Sequence, residues 1–219
     1  MKQYLFKYRL QILIGSIILA VSIFLICFYN IPRIGYSYDK NTDSYIVSKV
    51  YGNARVYTIK EEIKGRPVKT IKAKAFMNKK KLKNISLGEN ITKIERLAFS
   101  GCINLKTIDL SHVIEIERNA FADCKELSEI NLNAKHIGGG AFMGCENLGN
   151  VTLANTKSIG TFTFSGCSIE KIILPESLEI VGNDAFDGCQ KLVEIIVYSK
   201  KLESNDYILS LNQVKFHTS

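Results

Sequence analysis

Ile-Glu-Arg-Leu-Ala-Phe-Ser-Gly-Cys-Ile-Asn-Leu-Lys-Thr-Ile-Asp-Leu, residues 94–110, is one copy of a phrase that recurs six times in this 219-residue chain. An apolar residue leads, a Phe follows five positions later, and an apolar trio closes the phrase. The Phe residues of successive copies are Phe76, Phe99, Phe121, Phe142, Phe164 and Phe186, separated by steps of 23, 22, 21, 22 and 22. A fixed period near 22 marks a solenoid, in which each repeat is one coil and only the stacking of coils creates a core.

Each internal spacing has a physical meaning. Phe and the Cys three residues on (Phe99 and Cys102) share one face of a tight turn. Ile108 and Leu110, two apart, share one face of a strand. The residue before each Phe is Ala75, Ala98, Ala120, Ala141 or Ala185, with Thr163 the exception, as a crowded turn requires. The fifth copy drops one residue after Cys167, so its trio becomes Ile169, Ile172 and Leu174. One repeat therefore reads as a short strand, a turn, a one-turn helix or irregular arc, and a return. The expectation is an α/β repeat solenoid of about six coils of ~22 residues. Its strands build one parallel sheet at roughly 4.8 Å per coil.

The phrase at 94–110 resembles the leucine-rich repeat of BspA-like surface proteins, and the likeness runs from residue 65 to about 200. Ile63-Lys64-Gly65-Arg66-Pro67-Val68 is similar to the way such arrays begin. The resemblance implies a right-handed leucine-rich-repeat stack displayed on a cell surface, and several members of that family are regarded as adhesins or host-binding proteins. The first copy departs from it, with Lys79 where Cys is expected, and a polar first coil is what a capping repeat needs.

Residues 10–32 contain no charge, and Leu10 to Tyr29 is apolar apart from Gln11, Ser16 and Ser22. Twenty residues at 1.5 Å each make about 30 Å of helix, the thickness of a bilayer core. Lys2, Lys7 and Arg9 precede it, so 1–9 is expected in the cytoplasm and the repeats outside. The apolar run exceeds a signal-peptide core and no small-residue cleavage site follows, which favours an uncleaved signal-anchor at 10–29. Cys27 invites a lipoprotein reading, but Ile26 stands where a small residue belongs. The expected organisation continues with a linker and capping hairpin at 30–62, built from Tyr45-Ile46-Val47 and Val56-Tyr57-Thr58-Ile59. The repeats occupy 63–198 and a C-terminal cap 199–219. The Lys, Ile and Asn richness suggests a bacterial source.

The formal net charge of +8 is uneven. Residues 60–83 hold ten basic and two acidic groups, whereas 84–219 hold twelve basic and seventeen acidic. Two readings stand. The lysines of the first coil oppose edge-to-edge association, or Lys79, Lys80, Lys81 and Lys83 meet an anionic surface such as lipid or a cell-wall polymer. Nucleic acid does not suit an exported domain without a basic-aromatic motif.

Little else carries chemistry. Cys102, Cys124, Cys145, Cys167 and Cys189 fall in register and read as small buried hydrophobes, with disulfide pairing between neighbouring coils as the alternative. His112, His136 and His217 are scattered, and Gly138-Gly139-Gly140 fills a turn. The Asn-x-Ser/Thr matches at Asn84, Asn90 and Asn150 follow from the repeat. No catalytic constellation, metal-ligand spacing or cofactor motif is legible, so the expectation is no enzyme, no metal and no cofactor.

A partner is expected on the outward strand positions. These form columns, of which the central one runs Ser86, Asp109, Asn131, Thr152, Ile173, Ile196, and the last ends at Tyr198. The proposed binding set is Asp109, Asn131, Thr152, Ile173, Ile196 and Tyr198. The competing view is that the tail folds over the apolar end of these columns. Functionally the chain reads as a membrane-anchored extracellular interaction protein for a protein or glycan. A structural envelope spacer, or the recognition arm of an enzyme, is the alternative.

Overall fold

The computed structural model describes residues 31–217, together with Ile18, Leu19 and Val21. Among the described residues no helix is long and apolar enough to cross a membrane. The span expected at 10–29 lies outside the described residues apart from those three.

The stack begins with an antiparallel hairpin, β1 (Arg33–Asp39) and β2 (Ser44–Tyr51). Its turn is tied by Thr42 Oγ1 donating to Asp39 and by Tyr38 Oη donating to Asp43, whose carboxylate also meets Arg66. The hairpin expected from 45–47 with 56–59 does not form. Val56–Thr58 is instead β3 and runs parallel to β6 (Asn84–Ser86), while β2 runs parallel to β5 (Arg66–Ile71), with the short β4 (Glu62–Ile63) antiparallel beside it. Residues from β2 onward therefore already form a coil, one before residue 63.

From there the coils contribute two strands each, so the single sheet expected becomes two. The first sheet continues from β5 through β7 (Lys93–Ile94), β9 (Glu115–Ile116), β11 (His136–Ile137), β13 (Ser158–Ile159) and β15 (Ile180–Val181). Its inward residues are Val47, Ile71, Ile94, Ile116, Ile137, Ile159 and Val181, each opposite the next. The second flank carries β3, β6, β8 (Thr107–Ile108), β10 (Glu129–Leu132), β12 (Asn150–Leu153), β14 (Lys171–Leu174), β16 (Glu194–Val197) and β17 (Val214–Phe216). These pair as three separate parallel ladders, with breaks after β8 and after β12. The count of coils is about eight rather than six, because a coil at each end lacks the Phe that identifies the sequence phrase.

Among the described residues the arcs are turns, the irregular form of the two expected and not the helical one, and the class is a parallel β-solenoid with turn-built arcs. The reason is local. Each arc carries two residues with positive φ, at the third and seventh positions after the inward rung: Leu97 and Gly101 in one coil, Asn119 and Asp123 in the next. A left-handed residue every four positions stops helix propagation. Where backbones of adjacent arcs touch, side chains are excluded: a Cβ on Gly160 would lie 2.4 Å from the Gly139 nitrogen.

The core is the Phe ladder. Phe76, Phe99, Phe121, Phe142 and Phe164 are fully buried, and neighbouring rings stack at centroid distances of 4.8, 5.0, 5.2, 5.7 and 5.9 Å through Phe186, tilted by no more than 12°. The spacing widens around Phe164, where Thr163 replaces Ala and the fifth copy is one residue short. Tyr57 closes one end edge-on to Phe76 at 5.6 Å and 80°. At the other end a 3₁₀ turn (Lys200–Leu202) and α1 (Asp206–Ser210) bury Leu202 and Ile208. There the Phe186 amide, with no further coil to meet, donates to Tyr207 Oη at 2.9 Å. Asn205 caps α1 by accepting from the Ile208 amide.

Among the described residues one buried side-chain group is unmatched. Thr156 stands in an otherwise apolar column between Ala134 and Leu178, is fully buried, and its hydroxyl has no partner. Its isostere should be better. Thr156→Val is expected to gain about 1 kcal/mol, or roughly 2–4 °C in Tm. A calorimetric Tm below that of the parent would show that the hydroxyl is satisfied.

Candidate functional site

Every coil exposes one strand position between two buried ones, and on the second flank this produces a continuous outward face. Asp109, Asn131, Thr152 and Ile173 are exposed and Ile196 is half-buried, between the inward residues of their strands. All six residues of the expected binding set lie on this face. They divide into two regions.

The first is a shallow groove of about 650 Å³ lined by Ser86, Thr107, Asp109, Ser111, Glu129 and Asn131. It lies where β8 stops after two residues. Asp109 causes the stop: its Oδ1 accepts from the Ser111 amide at 2.9 Å, folding the chain into a turn. The Ser111 amide and hydroxyl hold the Asp109 carboxyl below its ordinary range, with His112 adding a favourable charge. The groove wall is thus an ionised carboxylate among hydroxyls and an amide, suited to donors from a polar ligand. Asn131 and Thr152 are direct cross-strand partners, which carries the polar column one coil further.

The second region is apolar. Ile173 pairs with Ile196 across β14 and β16, and Tyr198 stacks on His217 at 4.7 Å. The tail does not cover it. Ile173 remains 49% and Tyr198 43% exposed, because residues 214–216 join the edge of the sheet as one more rung instead of folding over its face. The tail does cap the stack, but at its end. An ion-pair network borders the patch, with Glu194 receiving Lys171 and Lys215 at 2.6 Å each. These two hydrogen-bonded lysines pull the Glu194 carboxyl down to about 2. Lys215 and His217 had no sequence signal, since the step from Ile195 to its partner Val214 is shorter than the period of the array.

The basic first coil is placed differently from expectation in one residue. Lys79 occupies the Cys slot, is half-buried, and donates through Nζ to the Gly52 carbonyl at 2.5 Å. Partial burial pushes its ammonium downward in pKa. It is structural, whereas Lys80, Lys81 and Lys83 are exposed.

Lys79 in fact reproduces what the cysteines do. Each thiol donates to the Phe carbonyl of the preceding coil: Cys102 to Phe76, Cys124 to Phe99, Cys145 to Phe121, Cys167 to Phe142 and Cys189 to Phe164, all at 3.1–3.3 Å. All five are free thiols. Burial drives the Cys102 and Cys145 thiols up to about 12 and the less buried Cys189 up to about 11. Among the described residues no group of three His, Cys, Asp or Glu side chains could hold a metal ion.

A family model for the BspA type leucine rich repeat region, six copies, matches residues 44–156 and 132–218. The chain belongs to this family. Its span matches the coils above, from β2 through β17. Solved structures share the fold. A leucine rich cell surface protein from Faecalibacterium prausnitzii is 24% identical over 76% of this chain and 53% of its own, with a TM-score of 0.64. The pneumococcal vaccine antigen PcpA is 21% identical over 78% of this chain and 49% of its own, at 0.61. The T. pallidum leucine rich repeat protein TpLRR is 27% identical over 74% of this chain and 68% of its own, at 0.52. The chain thus spans about half the length of the first two. No functionally curated protein matches it.

The thiol geometry sets a pH dependence. A thiol whose folded pKa is raised stabilises the fold below its ordinary value near 9, and that stability is lost as pH rises above it, since the unfolded chain ionises first. In a native-state labelling experiment with a maleimide, the half-buried Cys189 should react before the buried Cys102, Cys124, Cys145 and Cys167, and thermal stability should fall between pH 9 and 12. Equal labelling of all five at neutral pH would contradict the burial.

Proposed function

We propose that this chain is a membrane-anchored, cell-surface interaction protein that engages a protein partner through the outward face of the second flank. The observation that carries the reading is the apolar and aromatic block of Ile173, Ile196 and Tyr198, in which Ile173 and Tyr198 stay exposed although the tail runs beside them as one more rung. Aromatic and branched apolar residues beside a charged border are the composition of a binding centre with its rim. The polar groove at Asp109 and Asn131 lies on the same face and supplies hydrogen-bonding specificity. Thr152 lies between the two regions.

The surface location draws on the F. prausnitzii neighbour, which is a cell surface protein, and on family membership. The anchor draws on the apolar stretch 10–29 and the preceding Lys2, Lys7 and Arg9, which place the N-terminus in the cytoplasm and the repeats outside. An adhesive role fits such an arrangement. In this reading the chain works by binding and not by catalysis, the sequence offering no paired acid, base or nucleophile.

Affinity capture from envelope and host-surface extracts tests the proposal. A saturable protein partner should be retained by the parent chain and lost, at least tenfold in affinity, on Ile196→Asp or Tyr198→Ala. Capture unchanged by both variants would place the partner elsewhere. No saturable partner, or a glycan captured in place of a protein, would replace this reading with an envelope spacer or a lectin-like role.

A further inference from the structure

Among the described residues five lysines reach one coil over to a carboxylate. Lys93 meets Glu115 and Glu117, Lys125 meets Glu146, Lys201 meets Glu179, and Lys171 and Lys215 share Glu194. Such pairs hold neighbouring coils in register at little energetic cost. Other lysines make no such pair. Lys80, Lys81, Lys83 and Lys106 are exposed, and among the described residues none of them has an ion-pair partner.

Three basic residues do more than lack partners; they are stacked on one another. Val56, Asn84 and Thr107 are opposite each other in the ladder, which puts Arg55, Lys83 and Lys106 in one column just before the strands. Backbone bonds fix the alignment: the Lys83 amide donates to the Arg55 carbonyl at 2.7 Å, and the Lys106 amide to the Lys83 carbonyl at 2.9 Å. Like charges one rung apart, roughly 4.8 Å along the axis, repel. The column turns neutral at Ser128 and Gly149, so it is a bounded ridge and not a property of every coil. Beside it Lys80 and Lys81 widen the ridge, and Asn104 Nδ2 pins the Lys80 carbonyl at 2.7 Å.

We infer that this ridge binds a linear polyanion of phosphodiester groups, a cell-wall polymer rather than a lipid surface. A row of cations running along the stack, about three coils long, presents charge in a line, which a chain of phosphates can follow. A planar headgroup layer would instead favour basic residues spread over one flat end. Counterion release from the polymer gives such binding its affinity and its salt dependence. The inference is independent of the proposed partner face, which lies on the outward positions of the strands and retains its apolar block whether or not the ridge is charged.

Full-length protein titrated with fluorescent poly(glycerol phosphate) over a range of salt concentrations provides the test. Lys83→Gln with Lys106→Gln should weaken binding at least tenfold and lower the salt slope by about two. Lys83→Arg with Lys106→Arg should restore it. Removing equal charge from the opposite flank, by Lys135→Gln with Lys157→Gln just before the first-sheet strands, should change affinity less than twofold. The inference is overturned if both neutralised pairs lose affinity alike, if neither does, or if phosphatidylglycerol vesicles bind more tightly than the polymer at equal phosphate. Circular dichroism of the glutamine pair should match the parent; if it does not, the arginine pair alone decides, and weak binding by that folded variant overturns the inference.

Discussion

Everything in this molecule depends on how each Phe meets the next coil. The ring stacks on the neighbouring ring, as Phe99 does on Phe121 at 5.0 Å. Its amide donates to the next coil, Phe99 to the Ala120 carbonyl at 2.7 Å. Its carbonyl accepts the next coil's thiol, from Cys124 at 3.3 Å. One residue thus fixes distance, register and polar satisfaction at once, inside a core where an unpaired amide or carbonyl would cost ~1–3 kcal/mol. The ends are built by replacing these same contacts. Tyr57 covers the first ring, Lys79 supplies a donor where no thiol is present, and Tyr207 accepts the last Phe amide.

This arrangement separates scaffold from function by side-chain direction. Inward positions repeat because each must match its neighbours above and below. Outward positions are free of that demand, so they can change from coil to coil. Here they change in an ordered way, from a polar groove at Asp109 to an apolar block at Ile196. The lysines show the same freedom, since Lys171 is enlisted in a cross-coil pair whereas Lys83 is not.

The inward residues made the stack legible in the sequence because identical packing demands leave identical letters. The cysteines were readable as packing residues for the same reason. What was hidden lies where contacts are made without the repeated letters. Val47 and Gly52 begin a coil with no Phe, so the array started one coil earlier than the phrase suggested. The last rung follows a shortened step that the period could not locate, and with it went Lys215 and His217. The first sheet was obscured because most of its strands are only two residues long, held at positions such as Lys93-Ile94 by backbone bonds that any side chain permits. The arcs were read as possible helical turns because the φ of Leu97 and Asn119 is imposed by stacking, not by residue type. The outward face was correctly located by alternation alone, yet only the path of the tail decided that it stays open.

Native-state hydrogen exchange resolved at the Phe amides addresses the central claim directly. If the cross-coil contacts of each Phe form one cooperative ladder, the amides of Phe99, Phe121, Phe142 and Phe164 should share the slowest exchange in the chain and the same dependence on denaturant. The hairpin at 33–51 and the tail from 206 should open earlier. Middle Phe amides that exchange as fast as the tail, or each with its own denaturant dependence, would contradict it.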